Sequence, residues 1–407
     1  MGRLLQRTLA AGRGSVGAGA RCTLPFPSWA SALCGGAPWC DERSGTVPCS
    51  LVCTCADLLG SPDDACAADS SGLGAGGSRE LRCAGLRRPC RATSLGSGAA
   101  AAQAVLLSSV GLNIARATLS VAGRHALLQP AARRWRPSAQ VWALRAVAEP
   151  PLPDGLESVY AARASMDYAF GSYRSLLGSG SGFELSYRLD WAAALAAATD
   201  EASKAAAGGG WRRANVLFAS SNCASASGRE AWVAAFAALL PVDSVGLCLR
   251  NRHADDVLPP RYAMDARKVR FGEVLAAKRE LLAAYKFVIA IENTLAHDYV
   301  SEKFFDALAA GAVPIYLGAP NIDEYAPGEY AFVDARAPRP VADVADEVRA
   351  ALADPAKYAA YHAWRAPEKE QARRDSPLAR LEARAQSLDQ HLCRVCAMAE
   401  EREAELQ

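Results

Sequence analysis

The feature that most constrains this chain is a strand-helix-strand pattern in its last two thirds. Residues 286–318, "KFVIAIENTLAHDYVSEKFFDALAAGAVPIYLG", hold two five-residue apolar runs separated by a polar hinge and a segment with helical spacing. Upstream, "NVLFASSN" (215–222), "GREAWVAAFAALL" (228–240) and "VDSVGLC" (242–248) repeat the order. Continuously apolar strands that alternate with helices need cover on both faces, which predicts an α/β fold built on a parallel sheet. Gly311 stands where a helix commonly ends in the left-handed conformation.

Such a sheet has a chemically distinguished edge, because ligands of open parallel sheets bind outside the carboxyl ends of the strands. Ser220, Ser221, Asn222, Cys248, Glu292 and Asn293 are therefore expected to line one crevice. A helix beginning near Ser301, capped by Ser301 or Asp298, adds unpaired N–H groups that favour a phosphate there. Lys303 in its first turn opposes the helix dipole unless an anion is present. Glu302 and Lys303 taken alone read as ordinary solvated neighbours, since adjacent helix residues do not face each other.

The rest of the chain divides less sharply. At 407 residues it exceeds one ordinary core, and two domains with appendages are expected. The net charge of +2 excludes a bulk electrostatic attraction to nucleic acid. Nine of the 13 cysteines fall in the first 90 residues, amid Gly, Ala, Ser, Pro and Arg without period, so residues 1–98 read as a low-complexity leader, disordered or targeting. A zinc site at Cys49, Cys53 and Cys55 lacks a second matching pair. Residues 99–115, "AAAAQAVLLSSVGLNIA", are either a short membrane span preceded by positive charge or a buried Ala-rich helix. Residues 99–208 would hold this segment and an N-terminal domain with a helix in "LDWAAALAAATDEASKAAA"; the glycines at 208–210 mark the boundary to a domain over 209–385. Residues 386–407 read as a charged helical tail.

The stretch from Tyr285 to Pro327 resembles the signature of the family 10 α1,3-fucosyltransferases: Y-K-F, Glu-Asn at a strand end, D-Y-V-S-E-K, and a G-A-V-P strand followed by G-A-P-N. "SNCASASGR" upstream and "CRVC" downstream are similar to other segments of the family, and the likeness runs from Asn215 to Cys396. It is closest to the plant-type branch acting on the N-glycan core, with Ile291, Ser301 and Val245 standing where that branch has Phe, Thr and Tyr. The resemblance implies a GT-B fold, two Rossmann-like domains with the active-site cleft between them, the second binding GDP-fucose. It implies an inverting transfer of L-fucose to the 3-hydroxyl of a GlcNAc, in a glycan or glycoprotein acceptor, without a metal cofactor. The alternative is a silent sugar-nucleotide or glycan binder.

Carried over by position, Arg229 and Lys303 would contact the diphosphate, Asn293, Tyr299 and Glu302 the nucleotide or fucose, and Glu292 and Ser301 would support them. Asp167 in "SMDYA" is the candidate base, and Arg188 and Asp190 would lie near the same cleft. In a lumenal enzyme Cys223 with Cys248, and Cys393 with Cys396, would form disulfides. The family's setting implies the Golgi membrane with type II topology, association through 99–115, and no nucleic-acid partner.

Overall fold

The computed structural model describes residues 78–87, 90–93, 104–108, 141–146, 166–177, 180–200, 202–203, 211, 216–253 and 271–406. The chain forms two compact units, one made of the chain up to Glu184 together with Gln386–Gln407, the other of Leu185–Ala385. Cys49, Cys53 and Cys55 lie outside the described residues.

The first unit begins with an antiparallel hairpin, β1 (Ser78–Leu81) and β2 (Cys90–Thr93). The later part of the supposed leader thus has regular structure. A parallel four-stranded sheet follows in the order β3 (Ala104–Ser108), β4 (Val141–Ala146), β5 (Tyr168–Gly171) and β6 (Gly182–Phe183), with the short helix α1 (Arg174–Leu177) between the last two. Every residue of β4 is buried, as a strand covered on both faces requires.

Residues 99–115 are corrected accordingly. Their described part is a strand paired to β4, neither a membrane span nor a helix. The β-branched and leucine residues of "AVLLS" suit a buried strand as well as a helix, and a run this short does not discriminate between them. Among the described residues no helix is long and apolar enough to cross a membrane.

The second unit opens with α2 (Trp191–Ala196), capped by Asp190, whose carboxylate accepts from Ala193 N–H at 3.0 Å. The longer helix expected here stops at Ala197, which is extended. Five strands form one parallel sheet: β7 (Val216–Ser220), β8 (Asp243–Gly246), β9 (Phe287–Ile291), β10 (Val313–Leu317) and β11 (Val333–Asp334). Helices α3 (Arg229–Ala237), α4 (Phe271–Ala283), α5 (Glu302–Ala309), α6 (Val341–Ala353) and α7 (Pro377–Arg384) accompany them.

Phe287 and Ile289 of β9 join Phe218, Phe236, Ile315 and Val344 in one cluster, while Val288 joins Leu217, Leu281, Tyr285 and Ala307 in another. The period of two along the strand therefore feeds a core on each face of the sheet. Gly311 ends α5 at φ +74, and a Cβ there would lie 2.7 Å from the Ala198 carbonyl oxygen. The chain after α2 leaves the helix to pack across this bare position.

The strand order across the sheet is β11-β10-β9-β7-β8. The chain moves outward from β7 to β8, crosses back, and then proceeds from β9 to β11. The reversal falls between β7 and β9, the topological switch point at which ligands of open α/β sheets bind.

Helix α8 (Leu388–Leu406) returns to the first unit, packing Val395 and Ala399 on Val141 and Ala143. The tail thus belongs to the N-terminal unit, and the boundary falls at 184/185 rather than at the 208–210 glycines. Cys393 pairs with Cys83 and Cys396 with Cys90, not with each other. On a helix the two cysteines at i and i+3 face a common neighbour, and here that neighbour is the β1–β2 hairpin.

Candidate functional site

The carboxyl ends of β7 and β9 are joined by one side chain. Arg229, the first residue of α3, is buried, and its guanidinium reaches across the switch point. Its Nη1 donates to Asn293 Oδ1 at 2.6 Å and to the Ile291 carbonyl at 3.2 Å, its Nη2 donates to the Asn222 carbonyl, and its Nε to Glu230 Oε1 at 3.2 Å. Ser227 N–H donates to the Asn293 carbonyl at 2.9 Å. The loop after β7 is fixed further by the Cys223–Cys248 disulfide, which bridges the turns beyond β7 and β8.

Glu292 is the second organising residue. It follows β9, is completely buried, and its N–H donates to the Leu317 carbonyl of β10 at 2.9 Å. One carboxylate oxygen accepts from Ser301 N–H at 2.7 Å; the other accepts from Ser301 Oγ at 2.6 Å and from Lys303 Nζ at 3.3 Å. Ser301 is the N-cap of α5, its hydroxyl accepting from Lys303 N–H at 3.4 Å. Asp298, the other expected cap, instead takes a left-handed backbone, φ +63, and accepts from Asn321 Nδ2 and Tyr325 Oη. Gly318 closes the site from β10, since a Cβ there would lie 2.7 Å from Glu292 Cγ.

Lys303 Nζ also touches Ser301 Oγ at 2.9 Å and Glu302 Oε1 at 3.5 Å. Burial alone would pull the ammonium down, but Glu292 and Glu302 outweigh it and hold Lys303 above the usual lysine range. Burial pushes the Glu292 carboxyl up, only partly opposed by Lys303 and the Ser301 donors. For Glu302 the order reverses: burial is overcome by Lys303 and Lys278, and its carboxyl sits below the ordinary range. Arg229 and Lys303 bond to the consecutive residues Asn293 and Glu292. Two cations thus meet at the end of β9, beside the N-terminus of α5.

Of the residues picked out from sequence, Arg229, Glu292, Asn293, Ser301, Glu302 and Lys303 come together here. Tyr299 is buried next to them, its carbonyl accepting from Tyr316 Oη at 3.4 Å. Asp190 caps α2 and pairs with Arg279 at 3.1 Å, while Arg188 is exposed. Sequence reasoning placed Asn222 at this crevice, where its carbonyl accepts from Arg229, but passed over Lys278 and Asp306. Asp306 follows Glu302 at i+4 and so shares its helix face, a signal within reach.

Asp167 is corrected. It precedes β5 and is bonded to Trp142, the second residue of β4, so it lies at the amino edge of its sheet, opposite to where ligands of parallel sheets bind. Its carboxylate accepts from Trp142 N–H at 2.8 Å and from both terminal nitrogens of Arg402 on α8, at 3.1 and 3.0 Å. It is an anchor for the tail helix. The carboxylate expected to serve as base is engaged in this structure by Trp142 N–H and Arg402.

Comparison with known proteins agrees with the site. Residues 211–407 match the model of the glycosyltransferase family 10 (fucosyltransferase) C-terminal region. The chain is 41% identical over 113 residues to alpha-(1,3)-fucosyltransferase B of Drosophila melanogaster, a match covering 28% of this chain and 24% of that protein. Human GDP-fucose protein O-fucosyltransferase 3 is 30% identical over 154 residues, covering 38% and 30% respectively. The chain therefore spans less than a third of the length of these relatives. A solved alpha1,3-fucosyltransferase with GDP-fucose aligns at 18% identity and a TM-score of 0.37, over 56% of this chain and 67% of that one.

Proposed function

We propose that this chain is a GDP-fucose-dependent fucosyltransferase whose donor site is the carboxyl end of β9. One observation carries the reading: Arg229 and Lys303, distant in sequence, converge on Glu292–Asn293 at the switch point of a parallel sheet. Breaking the bond between fucose and phosphate leaves additional negative charge on GDP. Lys303, the N-terminus of α5 and Arg229 bring positive charge to one strand end, where it would stabilise that developing charge. In this reading Asn293, Tyr299 and Glu302 contact nucleotide or fucose, and Glu292 and Ser301 hold Lys303 in position. Cations in place of a metal make transfer metal-independent, so EDTA leaves the rate unchanged.

The acceptor proposed is the 3-hydroxyl of a GlcNAc in a glycan, with inversion at fucose, within a GT-B fold. The three disulfides among the described residues suit an oxidising compartment, and a Golgi-lumenal setting is part of the proposal. A second reading, donor binding without transfer, is favoured by the engagement of Asp167, the base expected from sequence, with Arg402. Incubation with GDP-fucose and a GlcNAc-terminated N-glycan, read by mass spectrometry, tests the proposal. Fucose on the glycan supports it; GDP-fucose binding without transfer supports the second reading.

A further inference from the structure

The two carboxylates around Lys303 differ in their surroundings. Glu292 is fully enclosed, whereas Glu302 is part exposed and has a second cation within reach. Lys278 of α4 places its Nζ 3.8 Å from Glu302 Oε1 and 2.8 Å from Asp306 Oδ2, one turn further along α5. The charges alternate without a break: Glu292, Lys303, Glu302, Lys278, Asp306.

We propose that Lys278 is a positioning residue of the donor site, supplying the counter-charge that Glu302 retains when a diphosphate takes Lys303. The inference rests on the donor-site reading above. In the free protein Glu302 shares Lys303 with Glu292. A diphosphate arriving at Lys303 adds negative charge within a few ångströms of Glu302, and like charges at that separation in a partly buried site repel strongly. Lys278 offsets that repulsion and draws Glu302 toward α4, away from the incoming anion. Asp306, its nearer partner at 2.8 Å, competes with Glu302 for the Lys278 ammonium.

A simple clamp between α4 and α5 would be a different matter. Lys278 is 30% exposed, and a pair of that kind contributes little to stability. The two roles separate in titration. Facing Glu302 are Glu292 from β9, Lys278 from α4, and Lys303 and Asp306 from its own helix. Burial raises the Glu302 carboxyl and the two lysines lower it. Without Lys278 it titrates at higher pH, and the acid limb of kcat/KM moves up with it.

The test compares the wild-type chain with Lys278→Met and Lys278→Arg, using calorimetric titration with GDP followed by GDP-fucose turnover across pH. The expected result for Lys278→Met is a KM for GDP-fucose raised roughly three- to tenfold, kcat within about twofold and the acid limb shifted upward, with Lys278→Arg close to wild type. Wild-type GDP binding with an unchanged KM and pH profile in Lys278→Met overturns the inference alone, as does a loss confined to kcat. Failure of the wild-type chain to bind GDP overturns the donor-site reading as well. Should Lys278→Met not fold, Asp306→Asn decides: it leaves Lys278 to Glu302, so KM stays level or falls, and a raised KM contradicts the inference.

Discussion

Replacing Lys303 by Met tests the site at its centre, because it removes charge from two places at once. Glu292 is completely buried and keeps only the Ser301 N–H and hydroxyl as donors. Removing one partner of a wholly buried ion pair costs about 3–5 kcal/mol. Lys303 is 24% exposed, so water already screens part of the interaction, and a loss of about 2 kcal/mol is expected. In a unit of about 200 residues that lowers Tm by roughly 4–8 °C. Catalysis should fall further, by about two to three powers of ten, the usual cost of one fixed donor to developing charge.

The two losses separate in Glu292→Gln/Lys303→Met, which removes the stranded carboxylate. The double variant should regain stability without regaining turnover, a coupling visible in a double-mutant cycle. pH gives an independent sign. A carboxyl whose folded pKa is raised favours the folded state at low pH, and that contribution is lost as pH rises through the folded value. With Lys303 gone, the Glu292 carboxyl rises further, so the single variant should be relatively more stable near pH 5 than near pH 8. Thermal melts at both pH values and GDP-fucose turnover are the assays. Turnover within threefold of wild type in Lys303→Met, or restored in the double variant, would refute the reasoning.

Other outcomes follow from the same geometry. Cys223→Ser should cost about 3 kcal/mol from reopening a loop of 25 residues, and should weaken GDP binding by loosening the Asn222 carbonyl that holds Arg229; calorimetry reads both effects. Arg402→Met leaves the buried Asp167 carboxylate with Trp142 N–H but without its cation, so the first unit should lose about 1–3 kcal/mol in denaturant melts while GDP affinity is unchanged. Gly318→Ala drives a Cβ to 2.3 Å from Tyr316 Oη and into the Glu292 side chain, and should lower both Tm and GDP affinity.

The second unit was legible because its signals are local. The apolar runs that became β7, β9 and β10, the serine cap of α5 and the left-handed Gly311 each follow from a few neighbouring residues. The Cys223–Cys248 pairing was within reach because both cysteines follow adjacent strands. In the first unit the deciding contacts are remote. Cys83 and Cys393 are 310 positions apart, and no spacing rule fixes such connectivity. The four residues of β5 are too few for a period, so nothing placed Asp167 at one edge of the sheet or the other. Lys278 gave no sign at all, being one basic residue in a helix whose partners lie on another helix.

The account depends on two cations holding one diphosphate at the end of β9. Calorimetric titration of GDP into the wild-type chain and Lys303→Met measures this most directly. Binding by the wild type, weakened at least tenfold in the variant at unchanged fold, is the predicted result. Equal affinities would mean that the diphosphate binds elsewhere.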